Sequence, residues 1–312
     1  MRRPVAAALG FATLLFSTQL TEAAATVAQK GDTLYVTGTR GNDSVIIIGV
    51  DGHPGIITVK VENQPLVAHF GLSHIAIDLK GGENSLGVFQ VNLGGDLTIA
   101  AGSGENYFLL GFHEFFMPNL IWGDLSVTVG LGPNVILLEE SWIVGNTSIS
   151  TGDGLNTVVL GRANSPSDLG AALIGNLLIE TGGGDDHVEV VKSWIGGQTL
   201  IDTDDGNDTV ILGTHYATGS AIAGNVFADT LFVATGNGMD GVGLTDNAVW
   251  GNTTIQTGHD NDELRVGDGP AFPPNDFHAQ FSANGGGGMD TLNDDPGNSY
   301  AMPPQFQSFE LP

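Results

Sequence analysis

Five aspartates recur at matching places in glycine-rich turns of the C-terminal half of this chain: Asp186, Asp208, Asp240, Asp262 and Asp290. Each ends a run such as Gly236-Asn237-Gly238-Met239-Asp240, and each is followed two residues later by an aliphatic side chain. Asp185 and Asp205 add further acid beside them. Glycine permits the positive φ and exposed carbonyls of such a turn. Carboxylates arrayed on such turns point to a hard cation as their partner. If successive turns stack at the spacing of paired strands, about 4.8 Å, the carboxylates form a column. Every pair in an ionised column repels, and a counter-ion relieves the repulsion. These seven residues are the metal-ligating candidates.

The same position in the N-terminal half reads Asp43, Asn84, Asn106, Asn134 and Asn156. Amides at this spacing hydrogen-bond along their own column. A neutral structural ladder is therefore expected over the first half and a cation-requiring one over the second. The competing reading of the aspartates is local: each carboxyl accepts from backbone N–H groups of its own turn, as Asx turns do.

The elements that hold these turns repeat with them. Two residues after each turn position stands Val45, Leu86, Phe108, Ile136, Val158, Val188, Val210, Val242, Leu264 or Leu292. Upstream lies a corner at Ser73, Gly95, Gly123, Gly145, Gly175, Gly197, Asp229, Gly251 and Ala279, at spacings of 22, 28, 22, 30, 22, 32, 22 and 28 residues. The second and fourth residues after a corner are apolar or β-branched, as in Gly95-Asp96-Leu97-Thr98-Ile99, which is the period of a strand with one buried face. A third apolar set precedes the corner by two: Leu93, Ile121, Ile143, Leu173, Ile195, Phe227, Val249 and Phe277. Repeats of this length, each burying its apolar face only against neighbours, mark a solenoid. The expected fold is all-β, a single-stranded parallel β-helix of about ten coils, right-handed by the chirality of parallel crossovers. The longer coils carry extra segments holding His113, Glu114, Arg162, His215 and Tyr216, expected as loops on one side.

Gly285-Gly286-Gly287-Gly288-Met289-Asp290-Thr291-Leu292 matches the motif GGxGxDxU through eight positions, with degenerate copies at Thr181–Val188 and Thr203–Val210. This resembles the calcium-binding repeat of RTX (haemolysin-type) proteins, whose parallel β-roll binds calcium between stacked turns. The resemblance covers the turns only. Most copies here begin with Thr in place of the first Gly, and one copy occurs per coil where that family has two. What it implies is calcium as cofactor.

The chain of 312 residues has 9 Lys and Arg against 35 Asp and Glu, a formal charge of −26. So acidic a surface repels nucleic acid and anionic membranes. Residues 1–25, with Arg2 and Arg3 ahead of an apolar run and Ala23-Ala24-Ala25, read as a secretory signal peptide. No later run is long enough for a membrane span. There is no cysteine, so an exported chain uses no disulfides. Residues 26–72 read as an N-terminal coil and hairpin cap over an otherwise open sheet edge, 73–292 as the repeats, and 293–312 as a C-terminal cap or tail. The expected function is that of a secreted or cell-surface calcium-binding solenoid with a structural, adhesive or matrix role, in contact with extracellular polysaccharide or matrix. The alternative is a carbohydrate-active β-helix enzyme, a polysaccharide lyase or glycoside hydrolase; a glycosidase needs two carboxylates flanking a bond, and Asp202, Asp204 and Asp205 form a cluster. Trp122, Trp142, Trp194 and Trp250 all shortly precede corners, where they serve either as platforms for sugar rings or as a stack in or over the coil.

Overall fold

A computed structural model describes residues 25–50, 53–111, 117–161, 170–213, 224–269 and 273–310. His113, Glu114, Arg162, His215, Tyr216 and all but the last residue of the expected leader lie outside the described residues. The described chain is all-β, without a helix. None of its elements is a helix long and apolar enough to cross a membrane.

From His74–Asp78 onward each coil contributes one strand to each of three sheets. The first sheet has twelve strands, beginning with β1 (Thr26–Lys30) and β2 (Thr33–Thr37) and ending with Gln305–Gln307. The second, also of twelve, runs from Thr291–Asp294 back to β3 (Ser44–Val50), β4 (His53–Val61) and β5 (Val67–His69). The third has nine, from Asn92–Leu93 to Ser299–Tyr300. Pairing is parallel from coil to coil and like residue meets like. Ile77, Ile99, Val127 and Ile149 are successive partners in the first sheet. Phe108, Ile136, Val158 and Val188 are so in the second, and Ile121, Ile143 and Leu173 in the third. This succession is consistent with a β-solenoid.

The three apolar sets read from the repeat are the three walls of one continuous core, nearly all at 0–3 % exposure. Burying each such side chain contributes about 1.5–3 kcal/mol. Because the walls are in register, the contribution repeats with every coil.

The ends break the repeat. The expected hairpin is present: β3 and β4 pair antiparallel, Val45 opposite Val61, and β5 adds to β4. A second hairpin joins β1 to β2 about Gly31, whose φ is 63°; nothing in the repeat announces it. Ala25, at the expected leader junction, is buried in the core. At the other end residues 299–300 and 305–307 add a last strand to the third and first sheets. Tyr300 stacks on Phe277 with ring centres 5.2 Å apart, and Phe306 and Phe309 pack on the core. The C-terminal segment thus extends two of the three sheets by one strand. All four tryptophans are exposed, so none belongs to the core.

Candidate metal centre

The aspartates reach one column because two backbone positions ahead of each turn in the left-handed region. Four residues before the aspartate stand Gly182, Asp204, Gly236, Gly258 and Gly286; two before it stand Gly184, Gly206, Gly238, Asp260 and Gly288. All ten have φ between 62° and 156°. The stacking leaves no room for a side chain at most of them: a Cβ on Gly206 would stand 1.9 Å from the carbonyl oxygen of Gly184. The two exceptions are both Asp, among the few residue types that visit this region.

In the N-terminal half the ladder is made of amides. Asn84 donates to Asn106 Oδ1 at 2.9 Å, Asn106 to Asn134 at 2.7 Å, and Asn134 to Asn156 at 2.8 Å. The same Nδ2 groups also serve their own turns, Asn134 donating to the carbonyls of Gly130 at 3.2 Å and Gly132 at 2.7 Å. Every one of these asparagines is buried. Asn156 joins the two halves by donating to Asp186 Oδ1, from its backbone at 2.8 Å and its side chain at 3.0 Å.

Beyond this point the hydrogen bonding changes. Asp186 N–H donates to Asp208 Oδ1, Asp208 N–H to Asp240 Oδ1 and Asp240 N–H to Asp262 Oδ1, at 2.8, 2.8 and 2.9 Å. Asp262 N–H donates to Asp290 Oδ1 at 3.1 Å, and Glu310 Oε2 ends the series by accepting from Asp290 N–H at 2.6 Å. The Asx-like reading is therefore right in kind but not in address: each carboxyl serves the neighbouring coil, not its own turn. One oxygen per carboxyl is used. Oδ2 of Asp186, Asp208, Asp240, Asp262 and Asp290 is buried with no hydrogen-bond partner. An ionised carboxylate only accepts, so the donor that each asparagine gave its turn has no counterpart here.

A threonine accompanies the acid. Thr181, Thr203, Thr235 and Thr257 stand five residues before their aspartates and are fully buried. The hydroxyls of Thr235 and Thr257 donate to the next coil's carbonyl at 3.0 and 3.2 Å, Thr203 doing so more loosely at 3.5 Å. With their one hydrogen so engaged, these three hydroxyls leave Oδ2 of their aspartates without a full hydrogen bond, whereas Thr181 Oγ1 has no partner of its own. All four lie close enough to draw the carboxyl down in part. Burial outweighs that pull. It pushes Asp186 and Asp262 up to about 6, Asp208 up to about 7, and Asp240 upward as well. In the sequence these threonines stand out only as a departure from the glycine of the motif, although a further signal is present: the equivalent residues of the amide half are Leu79, Ala101 and Val129, with Thr151 at the changeover.

Asp185 and Asp205 do not join the column. Both are exposed on the outer side of the turn. Asp185 Oδ1 accepts from the backbone and side chain of Asn207, both at 2.9 Å, which holds its carboxyl below the usual range. Asp205 accepts from Asn237 Nδ2. Nor do three His, Cys, Asp or Glu side chains gather into a metal-holding cluster among the described residues. A cation at the column would draw one carboxylate from each coil and complete its shell from backbone carbonyls and water. An open groove of about 710 Å³ runs beside it, with Asp208, Asp240 and Asp262 in its wall and Met239 and Met289 at its rim.

A second buried polar column, missed in the sequence, stands four residues before the corners. Ser193 N–H donates to Asn225 Oδ1 at 2.9 Å, Asn225 Nδ2 to Asn247 Oδ1 at 3.0 Å, and Asn247 Nδ2 to Asn275 Oδ1 at 2.9 Å. Here every donor and acceptor role is filled by amides, so this column has no use for a cation.

No protein-family model matches the chain, no curated protein matches it, and no solved structure matches it.

Proposed function

We propose that this chain is a closed, right-handed parallel β-helix, secreted or held at the cell surface, that binds calcium along the turns of its C-terminal half and serves as a structural, adhesive or matrix component. The observation that carries the calcium reading is the set of five buried carboxylate oxygens without a partner, at Asp186, Asp208, Asp240, Asp262 and Asp290. Buried polar atoms are almost always paired, and an unpaired charge is costlier still. Calcium, when bound, supplies the positive charge that such oxygens lack. The chain's part is to hold the carboxylates in register through their Oδ1 atoms and to keep Oδ2 from water.

The test is the metal content of the purified protein, calorimetric titration with calcium, and melting with and without chelator. Calcium uptake with a chelator-sensitive melt is expected, since binding to the native state alone raises apparent stability by mass action. Hydrogen exchange should rise first in the C-terminal coils when calcium is removed. No uptake at millimolar calcium, together with a melt indifferent to chelator, would leave a ladder of protonated carboxyls.

A further inference from the structure

The outward face of the third sheet differs from the other two. Outward positions of the first sheet include Glu180 and Asp202, and those of the second include Glu189, Glu263 and Arg265. On the third sheet every outward position from Leu120 to Trp250 is apolar or glycine, with the inward positions between them filling the core. Charge returns only at the edge, where His278 faces Asp276 at 3.2 Å. Trp122, Trp142, Ile174 and Trp250 are 47–57 % exposed and Trp194 is 39 % exposed. A contiguous apolar strip on so acidic a surface marks a binding face.

The rings are held in place. The six-membered ring of Trp194 fills the space above Gly196, where a Cβ would stand 2.5 Å from Cη2. Trp250 stacks on His278 at 4.0 Å with an interplanar angle of 12°. Trp142 and Trp194 occupy one outward column two coils apart, about 10 Å at the spacing of paired strands. Trp122 and Trp250 occupy the parallel column, five coils or about 24 Å apart.

We propose that this face is a docking platform for an uncharged glycan chain. Charge selects the occupant. An anionic polysaccharide or an anionic lipid surface is repelled by a chain of net charge −26, and a second copy brings the same charge against it. Side-chain type narrows it further. Exposed indoles offer broad apolar ring faces with a polar N–H at the edge, suited to the C–H face and hydroxyl rim of a pyranose. The platform shares no residue with the aspartate column and does not depend on the calcium reading.

The test is co-sedimentation with microcrystalline cellulose, chitin and insoluble starch, with polygalacturonate as the anionic control, in calcium and in chelator under conditions where the protein is folded. Binding to at least one uncharged glycan is expected and binding to polygalacturonate is not. Trp142→Ala with Trp194→Ala should weaken that binding about tenfold or more, as loss of aromatic anchors does. Trp142→Phe with Trp194→Phe should retain most of it, and melting should change little in either variant, since both rings are exposed. Failure to bind any uncharged glycan, or binding unchanged in the alanine variant, overturns the proposal. So does a preference for phosphatidylcholine vesicles over every glycan, which would make the face a lipid surface. Concentration-dependent dimerisation abolished by the alanine variant would make it a self-association surface.

Discussion

Asp186 N–H donates to Asp208 Oδ1, 2.8 Å away in the next coil, while Asp208 Oδ2 is buried without a partner. One carboxyl is thus half satisfied. Replacing it by an amide restores a donor, which Asn156 in the same column uses on the carbonyls of Gly152 and Gly154 at 3.0 and 3.3 Å. Asp208→Asn should therefore stabilise the metal-free protein by about 1–3 kcal/mol, the usual cost of an unsatisfied buried group. Adding Asp240→Asn should extend the gain and shrink the rise in melting temperature that calcium produces. Denaturant melts in chelator and in calcium check both effects. A variant less stable than wild type in chelator would contradict the account.

The pH dependence of the metal-free protein should run against the common acid-denaturation trend. Asp186, Asp208 and Asp262 titrate at about 6, 7 and 6 when folded, above their ordinary 3.8. Folding favours the protonated forms, so their contribution is fully present below about pH 3.8 and is lost as pH rises through about 6 to 7. Two groups work in the opposite sense: Asp185, held low by Asn207, only below its ordinary 3.8, and His69, held low by burial, as pH falls below its ordinary 6.5, one imidazole against three carboxyls. The urea midpoint in chelator should be higher at about pH 5.5 than at about pH 8. Calcium should reverse the order, because binding to carboxylates releases protons.

The third-sheet amides should respond to neither metal nor proton. Asn247 donates to the Leu212 carbonyl at 2.8 Å and to Asn275 Oδ1 at 2.9 Å. Asn247→Ala should cost about 1–3 kcal/mol equally with and without calcium. Asn134→Ala should behave in the same way. Asn247→Asp should introduce the pH sensitivity that the wild-type column lacks. Paired melts across pH and calcium resolve the three cases.

Two glycines separate stacking from mere tolerance. Gly238 has φ 135°, and a Cβ there would stand 1.7 Å from the Gly206 carbonyl oxygen. Gly238→Ala should be destabilising by about 3 kcal/mol or more, from strain and overpacking together. Gly243 lies on a strand with nothing within 4 Å of its Cβ position. Gly243→Ala should instead be neutral or stabilising by about 0.4–1 kcal/mol. Thermal melts of the two variants give a direct comparison.

How much of this was legible in the sequence depends on whether the physics was periodic. The three core walls were, because a buried strand face needs an apolar residue at every second position and a stack needs the same residue type in every coil. Ile99 and Val127 declare their partnership before any coordinates do. So does the Asn-to-Asp change along the turn column, since both side chains fit one turn and differ only in the donor they carry. The threonines beside the aspartates and the Asn225–Asn247–Asn275 ladder were also written in the repeat, but a lone buried hydroxyl or amide carries no sign of what it bonds.

What the sequence by itself determined is therefore the succession of parallel strands, the turn spacing and the position of the acid. The tertiary structure decided the rest. It placed Asp185 and Asp205 outside and the five other aspartates inside, although Asp185 and Asp186 are neighbours, because successive residues leaving a tight turn face opposite sides of the coil. It gave each Oδ1 to the coil beyond and left each Oδ2 without a donor. It also gathered the tryptophans, spread over 129 positions from Trp122 to Trp250, onto one uncharged face. Local pattern sets which way a side chain points, but only the stacking of coils decides what it meets there.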